Sequence, residues 1–246
     1  VAIVGTRKST KEGDSLATSF ARGFASAGVP VVSGLALGID SSAHHGVCGV
    51  GGKTVAVLGC GIGTIYPSQN RNLADKIIEL GGAIVSEYPL EHPSFPFNFI
   101  ARNRIISGLS RGVVVIEAPE KSGALITANF AVEQNRDVFV VPGSISHQNY
   151  AGSNALIKEG ARLVISPEEV MEELGIDCGL KSQKDTAELD NEEQKTIISV
   201  LRKAGRPLII DELAYESKLD MSVISSTLTM LLLKDIIKED SGKYYL

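Results

Sequence analysis

Val1-Ala-Ile-Val-Gly-Thr-Arg-Lys8 opens the chain, four apolar β-compatible residues running straight into a glycine, a hydroxyl and two cations. No polar residue alternates through Val1–Val4, so the run reads as a strand buried on both faces, which points to a parallel sheet. Residues that follow a strand's carboxyl end in an open α/β sheet lie at the edge where ligands bind. Gly5 lets the backbone approach closely. Thr6 and Ser9 supply hydroxyls, Arg7 a planar fork suited to phosphate, and Lys8 a second cation. Taken alone, the same residues also describe a tight strand-to-helix turn with two solvated cations.

Outward from that stretch, strand-like and helix-like runs alternate to about residue 174. The strands are expected at Val1–Val4, Pro30–Ser33, Thr54–Leu58, Ala83–Ser86, Val113–Glu117, Val138–Val141 and Leu163–Ile165. Between them, segments such as Leu16–Ala27 and Leu125–Gln134 repeat apolar residues at three and four, as amphipathic helices do. Gly28, Gly81 and Gly160 suit helix C-terminal caps. Repeated βα alternation predicts a parallel sheet with helices on both faces, a Rossmann-like domain over 1–174. Residues 175–190 turn to Gly, Ser, Lys, Asp and Gln, a linker. Beyond it, over 191–246, come helices at Glu192–Lys203, Ile210–Ser217 and Ser222–Lys234. Two short strands around Asp240-Ser-Gly242 then complete the outline of a small winged-helix domain.

The 246 residues suit one large and one small domain, and 43% hydrophobic content is ample for a core. No run approaches bilayer length and no leader is evident, so neither a membrane span nor secretion is expected. A start inside a strand without Met suggests a segment missing upstream. Cys48, Cys60 and Cys178 are odd in number and scattered, which fits a reducing cytoplasm. A net charge of −5 argues against an all-over basic coat but leaves room for a local basic groove. With no Trp and 5% aromatics, any base-stacking platform must be small.

Cofactor and metal signatures fail on spacing. Gly59-Cys-Gly-Ile-Gly63 lacks the dinucleotide pattern, and Thr64-Ile-Tyr-Pro67 would break a helix opening there. Gly52-Lys-Thr54 has Val47 where a P-loop needs glycine, and it precedes a strand. His44 and Cys48 lie one helical turn apart, but two ligands do not make a zinc site, so a structural histidine pair with His45 is expected. No nucleophile–base arrangement stands out. Glu87, Glu117 and Glu120 sit at strand ends, where catalytic acids and ordinary loop acids both occur. No catalytic residue, metal or cofactor is therefore expected.

Cations and helix starts give the better signals. Glu117-Ala-Pro-Glu-Lys-Ser-Gly123 runs from a strand into a helix, so Lys121, Ser122 and Gly123 form an anion site with the helix N-terminus. In Arg102-Asn-Arg-Ile-Ile-Ser-Gly-Leu-Ser-Arg111, the seven-residue spacing places Arg104 and Arg111 on one helical face, with Arg102 nearer the apolar side. Upstream, Pro93-Ser-Phe-Pro-Phe-Asn-Phe99 either presents Phe97 or Phe99 to a base or staples the next helix, with Asn98 as its cap.

The order of motifs resembles the DprA/Smf (DNA processing protein A) family over essentially all of 1–174. Gly5-Thr-Arg, Ser33-Gly-Leu-Ala-Leu-Gly-Ile-Asp40 with Ala43-His44, and Thr54-Val-Ala-Val-Leu-Gly59 carry the likeness. So do Tyr66-Pro67, Arg102-Asn-Arg104, Ser122-Gly-Ala-Leu-Ile-Thr127, Arg136-Asp-Val138, Pro142-Gly143, Gly152-Ser-Asn-Ala-Leu-Ile157 and Gly160-Ala161. The resemblance implies a dimeric, Rossmann-like protein of natural transformation that binds single-stranded DNA, protects it and loads the RecA recombinase. By motif match it makes Arg7 and Lys121 phosphate contacts, with Thr6, Ser9, Ser122 and Gly123 beside them. Two departures are visible: Leu37 stands where relatives are often basic, and a helical domain that often precedes the first strand is missing.

Two competing functions are weaker. A phosphoribohydrolase needs a Pro-Gly-Gly-x-Gly-Thr loop, which Pro142-Gly-Ser144 does not continue. A nucleotide-sensing transcription regulator needs a winged helix that reads duplex DNA. From Asp190 onward there are ten acids against eight bases, and Ser222–Lys234 carries no Arg, Asn or Gln to read base edges. A protein-contact surface, aided by the Leu231–Leu233 run, fits that module better.

Overall fold

The structure, a computed structural model, describes residues 1–176, 191–204, 206–233, 236–240 and 242–245. It divides into two compact units, Val1–Gly179 and Leu180–Leu246. From residue 177 on, the expected linker falls outside the described residues.

In the large unit the strands are β1 (Ala2–Val4), β2 (Val31–Ser33), β3 (Thr54–Val57), β4 (Ala83–Val85), β5 (Gly112–Val115), β6 (Asp137–Val140) and β7 (Arg162–Leu163). All seven pair in parallel, in the order β4-β3-β2-β1-β5-β6-β7. The helices are α1 (Lys11–Ser26), α2 (Ile39–Gly49), α3 (Arg71–Glu79), α4 (Pro96–Gly108), α5 (Gly123–Glu133), α6 (Ala151–Lys158) and α7 (Pro167–Glu173). The unit is a Rossmann-like α/β fold. Each expected strand is present, shortened or shifted by one or two residues at its ends.

Strand alternation explains why these runs show no polar residues. Val1 and Ile3, Val114 and Ile116, and Phe139 and Val141 face one helical layer, where Phe20 and Phe24 of α1, Val47 of α2 and Met171 of α7 pack. Ala2 and Val4, Val113 and Val115, and Val138 and Val140 face the other, against Ile106 of α4 and Ala124, Ala128 and Ala131 of α5. Both faces are covered, so both phases of the alternation must be apolar. Gly28, Gly81 and Gly160 take positive φ just past α1, α3 and α6, as helix-ending glycines do.

Strand order reverses at β1. The chain steps outward through β2, β3 and β4, then returns to place β5 on the other side of β1. The carboxyl ends of β1 and β5 therefore flank a crevice, the position at which such sheets bind ligands.

The small unit has α8 (Glu192–Ala204), α9 (Ile210–Ser217) and α10 (Met221–Leu233), with strands β8 (Leu208–Ile209), β9 (Lys238–Asp240) and β10 (Lys243–Tyr245). These strands form an antiparallel sheet in the order β8-β10-β9. Strand β8 is an addition to the expected elements, because its two residues are too few to show a period. Leu231 is buried in this unit's core and Leu232 packs against it, so these two serve the unit's own packing and not the protein-contact surface expected of the run. Among the described residues, no helix is long and apolar enough to cross a membrane.

Candidate functional site

A pocket of about 350 Å³ opens at the β1/β5 crevice. Thr6, Arg7 and Lys8 line it from the loop after β1, and Lys121, Ser122 and Gly123 from the start of α5. Phe99, Arg102 and Asn103 of α4 and the carboxylate-bearing Asp40 of α2 also line it. Six of the nine sequence-derived site residues thus meet in one concavity.

Each loop is fixed by backbone bonds. Thr6 N–H donates to the Glu117 carbonyl at 2.6 Å, and the Thr6 carbonyl accepts from Ile39 N–H at 3.2 Å. The Thr6 hydroxyl accepts from Lys8 N–H at 3.2 Å. Gly38, with φ of +79°, packs against this turn, and a Cβ there would lie 2.4 Å from the Thr6 carbonyl oxygen. Only glycine fits at that close approach. The loop after β1 therefore has little freedom, and Arg7 and Lys8 project from it exposed.

Opposite, the Ser122 side chain caps α5 by accepting from Ala124 N–H at 3.2 Å. The first turn of a helix leaves N–H groups without intrahelical acceptors and carries partial positive charge. Lys121 adds a full charge beside that turn, and the space over Gly123 is open. Hydroxyls, backbone donors and cations converge here, a set that suits phosphate.

The pocket wall also holds a buried pair that sequence reasoning did not join. Arg102 is buried and donates to the carbonyls of Gly34 at 2.7 Å and of Val57. It ties α4 to the ends of β2 and β3. Asp40 is also buried and accepts from Gly34 N–H at 3.1 Å. Burial raises its carboxyl above the usual range, while the Arg102 charge and the backbone donors oppose the shift. Burial likewise lowers Arg102 from its ordinary value.

Glu117, which the sequence left open between catalytic and loop acid, is fully buried. Its carboxylate accepts from Thr10 N–H at 3.0 Å, from the Thr10 hydroxyl and from Asn149 Nδ2 at 3.1 Å. Asn149 also donates to the Lys8 carbonyl at 2.9 Å. Burial, and next the Glu117 carboxylate, push the Tyr150 phenol up to about 12. Gly13 of α1 is small because a Cβ there would meet this carboxylate at 2.4 Å. Glu117 positions the loop that carries Arg7 and Lys8. The partners Thr10, Asn149 and Tyr150 had no signal in the sequence beyond ordinary polar residues.

Three site residues fall outside the pocket. The Ser9 hydroxyl donates to Asp14 Oδ1 at 2.6 Å. Arg104 pairs with Glu87 on the surface. Arg111 lies at the opposite, amino edge of the sheet, donating to the Leu174 carbonyl at 2.6 Å. Arg104 and Arg111 do not share a helical face, because α4 ends at Gly108. Asn98 does not cap α4 either: Phe95 holds that position, Pro96 begins the helix, and the Asn98 amide bonds back to the Pro93 carbonyl.

His44 and His45 differ in role. His44 is buried with Nδ1 2.8 Å from the Thr54 hydroxyl, while His45 is exposed.

Fold and site together define a Rossmann-like protein with a pocket lined by cations and a helix N-terminus at its sheet's switch point. A family model for DNA recombination-mediator protein A matches residues 1–175, and the chain belongs to that family. It is 48% identical over 174 residues to Protein Smf of Escherichia coli K12, an alignment that covers 71% of this chain and 46% of that protein. The structure of DNA processing protein A from Streptococcus pneumoniae superposes with a TM-score of 0.64 at 43% identity, covering 70% of this chain and 60% of that one. DNA processing protein A from Helicobacter pylori, whose structure is described as giving insight into a single-stranded DNA binding mode, superposes at 0.65 with 31% identity, covering 72% and 80%. The chain spans about half the length of the curated relatives it matches.

Proposed function

We propose that this protein binds single-stranded DNA without catalysing a reaction, protects incoming strands in the cytoplasm during natural transformation and loads RecA onto them. The meeting of Arg7, Lys8, Lys121 and the α5 N-terminus in one rigid pocket carries this reading. A set of cations and backbone donors, held on loops the sheet fixes, grips phosphates and leaves base identity unread. Thr6, Ser122 and Gly123 complete the grip, and Ser9 supports it through the Asp14 cap region of α1. Arg104 and Arg111 contribute only where a strand extends beyond the pocket. Carboxylates near the site speak for binding over catalysis. Asp40 is held by backbone N–H groups, and Glu117 by Thr10 and Asn149.

A homodimer fits the edge strand β7, where Leu163 and Ile165 are exposed beside an edge that no strand among the described residues pairs. The three helices and three-stranded sheet of the small unit fit a winged helix that contacts protein. Its α10 offers hydroxyls and exposed Met221 and Met230 in place of base-reading side chains. A gel-shift comparison of single strand, duplex and mononucleotide tests the central claim. Single strand is expected to bind tightest, and equal or tighter binding to duplex of the same length overturns it.

A further inference from the structure

We propose that Asn149 is a positioning residue for the single-strand grip, a clasp whose amide ties the loop after β1 to the end of β5 and so holds Lys8 in place across from Lys121. The inference rests on the single-strand reading and adds to it a support that lies outside the pocket lining.

The Asn149 side-chain amide has two hydrogens, and each reaches a different element. Nδ2 donates to the Lys8 carbonyl at 2.9 Å, in the loop after β1. It also donates to the Glu117 carboxylate at 3.1 Å, where β5 runs into the loop that carries Lys121. Both partners are acceptors, so the nitrogen and not the oxygen must face them. Asn149 is itself held, in a 3-10 turn over Gln148–Tyr150 that His147 caps by accepting from Asn149 N–H at 3.2 Å.

The residues that follow grip the second loop directly. Ser153 N–H donates to the Ala118 carbonyl at 2.9 Å, and a Cβ on Gly152 would lie 2.8 Å from the Ala118 and Pro119 carbonyl oxygens. Asn154 closes the loop after β6 by bonding both backbone groups of Gly143: it accepts from the N–H at 3.4 Å and donates to the carbonyl at 3.0 Å. Pro142-Gly143 and Gly152-Ser-Asn154 bring no charge to a phosphate. Their part is to build the frame on which Asn149 sits.

Lys8 is the cation that depends on this frame. Thr6 is fixed by its own backbone bonds, and the Arg7 carbonyl packs against Gly38, where a Cβ would come within 2.9 Å of it. The Lys8 carbonyl is held by Asn149. Loss of the amide therefore frees Lys8 and leaves Arg7 and Lys121 in place. A cation that must be ordered on binding returns less affinity than one already fixed.

The test follows a labelled oligothymidylate by fluorescence anisotropy over a range of salt, using the full chain. Lys8→Ala and Asn149→Ala are each expected to weaken binding about tenfold and to make log affinity less steep in log salt by about 0.7. The double variant is expected to bind no more weakly than either single one, because both changes remove the same phosphate contact. Thermal melting shows whether each variant is folded, and Asn149→Ser, too short to reach both partners, replaces Asn149→Ala if that variant is not. A residue that only supports the fold would leave the salt slope unchanged, and an independent contact would add in full to Lys8→Ala. Either result, or parental binding by Asn149→Ala, would overturn the clasp while the phosphate pocket stands. If Arg7→Ala, Lys8→Ala and Lys121→Ala all bind as the parent does, or the parent does not bind, the single-strand reading falls and the clasp with it.

Discussion

Acidification should destabilise the large unit through the buried ring of His44. The ring is fully buried on α2, with Nδ1 2.8 Å from Thr54 Oγ1. Thr54 donates its only hydroxyl hydrogen to the Val31 carbonyl at 2.7 Å, so Nδ1 must carry the proton and donate. Nε2 then faces the interior with no partner among the described residues. Burial, followed by the charges of His45 and Arg102, lowers the group from 6.5 to about 3. A depressed folded-state value means that the unfolded chain takes up the proton first as pH falls. The stabilisation is complete above about pH 6.5 and is lost as pH drops toward 3. At 1.36 kcal/mol per pH unit, moving from pH 7 to pH 5 removes about 2 kcal/mol. Urea titrations read at the amide resonances of β1 and β5 follow the large unit alone. His44→Asn keeps an amide donor near Nδ1 and has no titrating ring, so its fixed packing loss cancels in the pH difference. The parent should lose about 2 kcal/mol more than His44→Asn between pH 7 and pH 5. Equal losses, or a His44 ring that titrates near pH 6, would refute the reasoning.

Arg102→Ala should cost about 3–5 kcal/mol of stability, since it leaves the Gly34 and Val57 carbonyls and buried Asp40 without their cation; denaturant midpoints measure it. Arg7→Ala and Lys121→Ala should each weaken single-strand binding by about 1–3 kcal/mol with unchanged melting, and each should make log affinity less steep in log salt by about 0.7 for every phosphate left without its cation. Normal binding by both variants in fluorescence titrations would place the pocket elsewhere. A chain ending at residue 176 should keep most single-strand affinity and lose RecA loading on the same oligonucleotide. Loss of DNA binding by a folded truncation would return the small unit to DNA.

Much of the fold is written locally. Val1–Val4, Val113–Ile116 and Val138–Val141 are apolar in both phases because both sheet faces are covered, so the runs disclose a parallel sheet without any knowledge of partners. Thr6, Arg7, Lys8, Lys121, Ser122 and Gly123 were legible for a related reason. They lie in the loops between strand ends and the following helices or, for Gly123, at the helix start, and strand ends in such sheets share one edge. Short β8 and the exact end of α4 were not legible, since two residues carry no period and Arg111 lies three residues past a helix end that no proline marks.

What the sequence determined by itself is therefore the layered α/β architecture and the type of chemistry at the strand ends. Tertiary structure decided which of those groups meet. Strand order places β5 beside β1 and so brings Arg7 to Lys121 across more than a hundred residues, while it carries Arg111 to the far edge. It also made Glu117 and Arg102 internal supports, because burial beside particular carbonyls, hydroxyls and amides is set by long-range packing. Side-chain identity fixes what a group can bond to, and only the assembled sheet and its helices fix which partners are within reach.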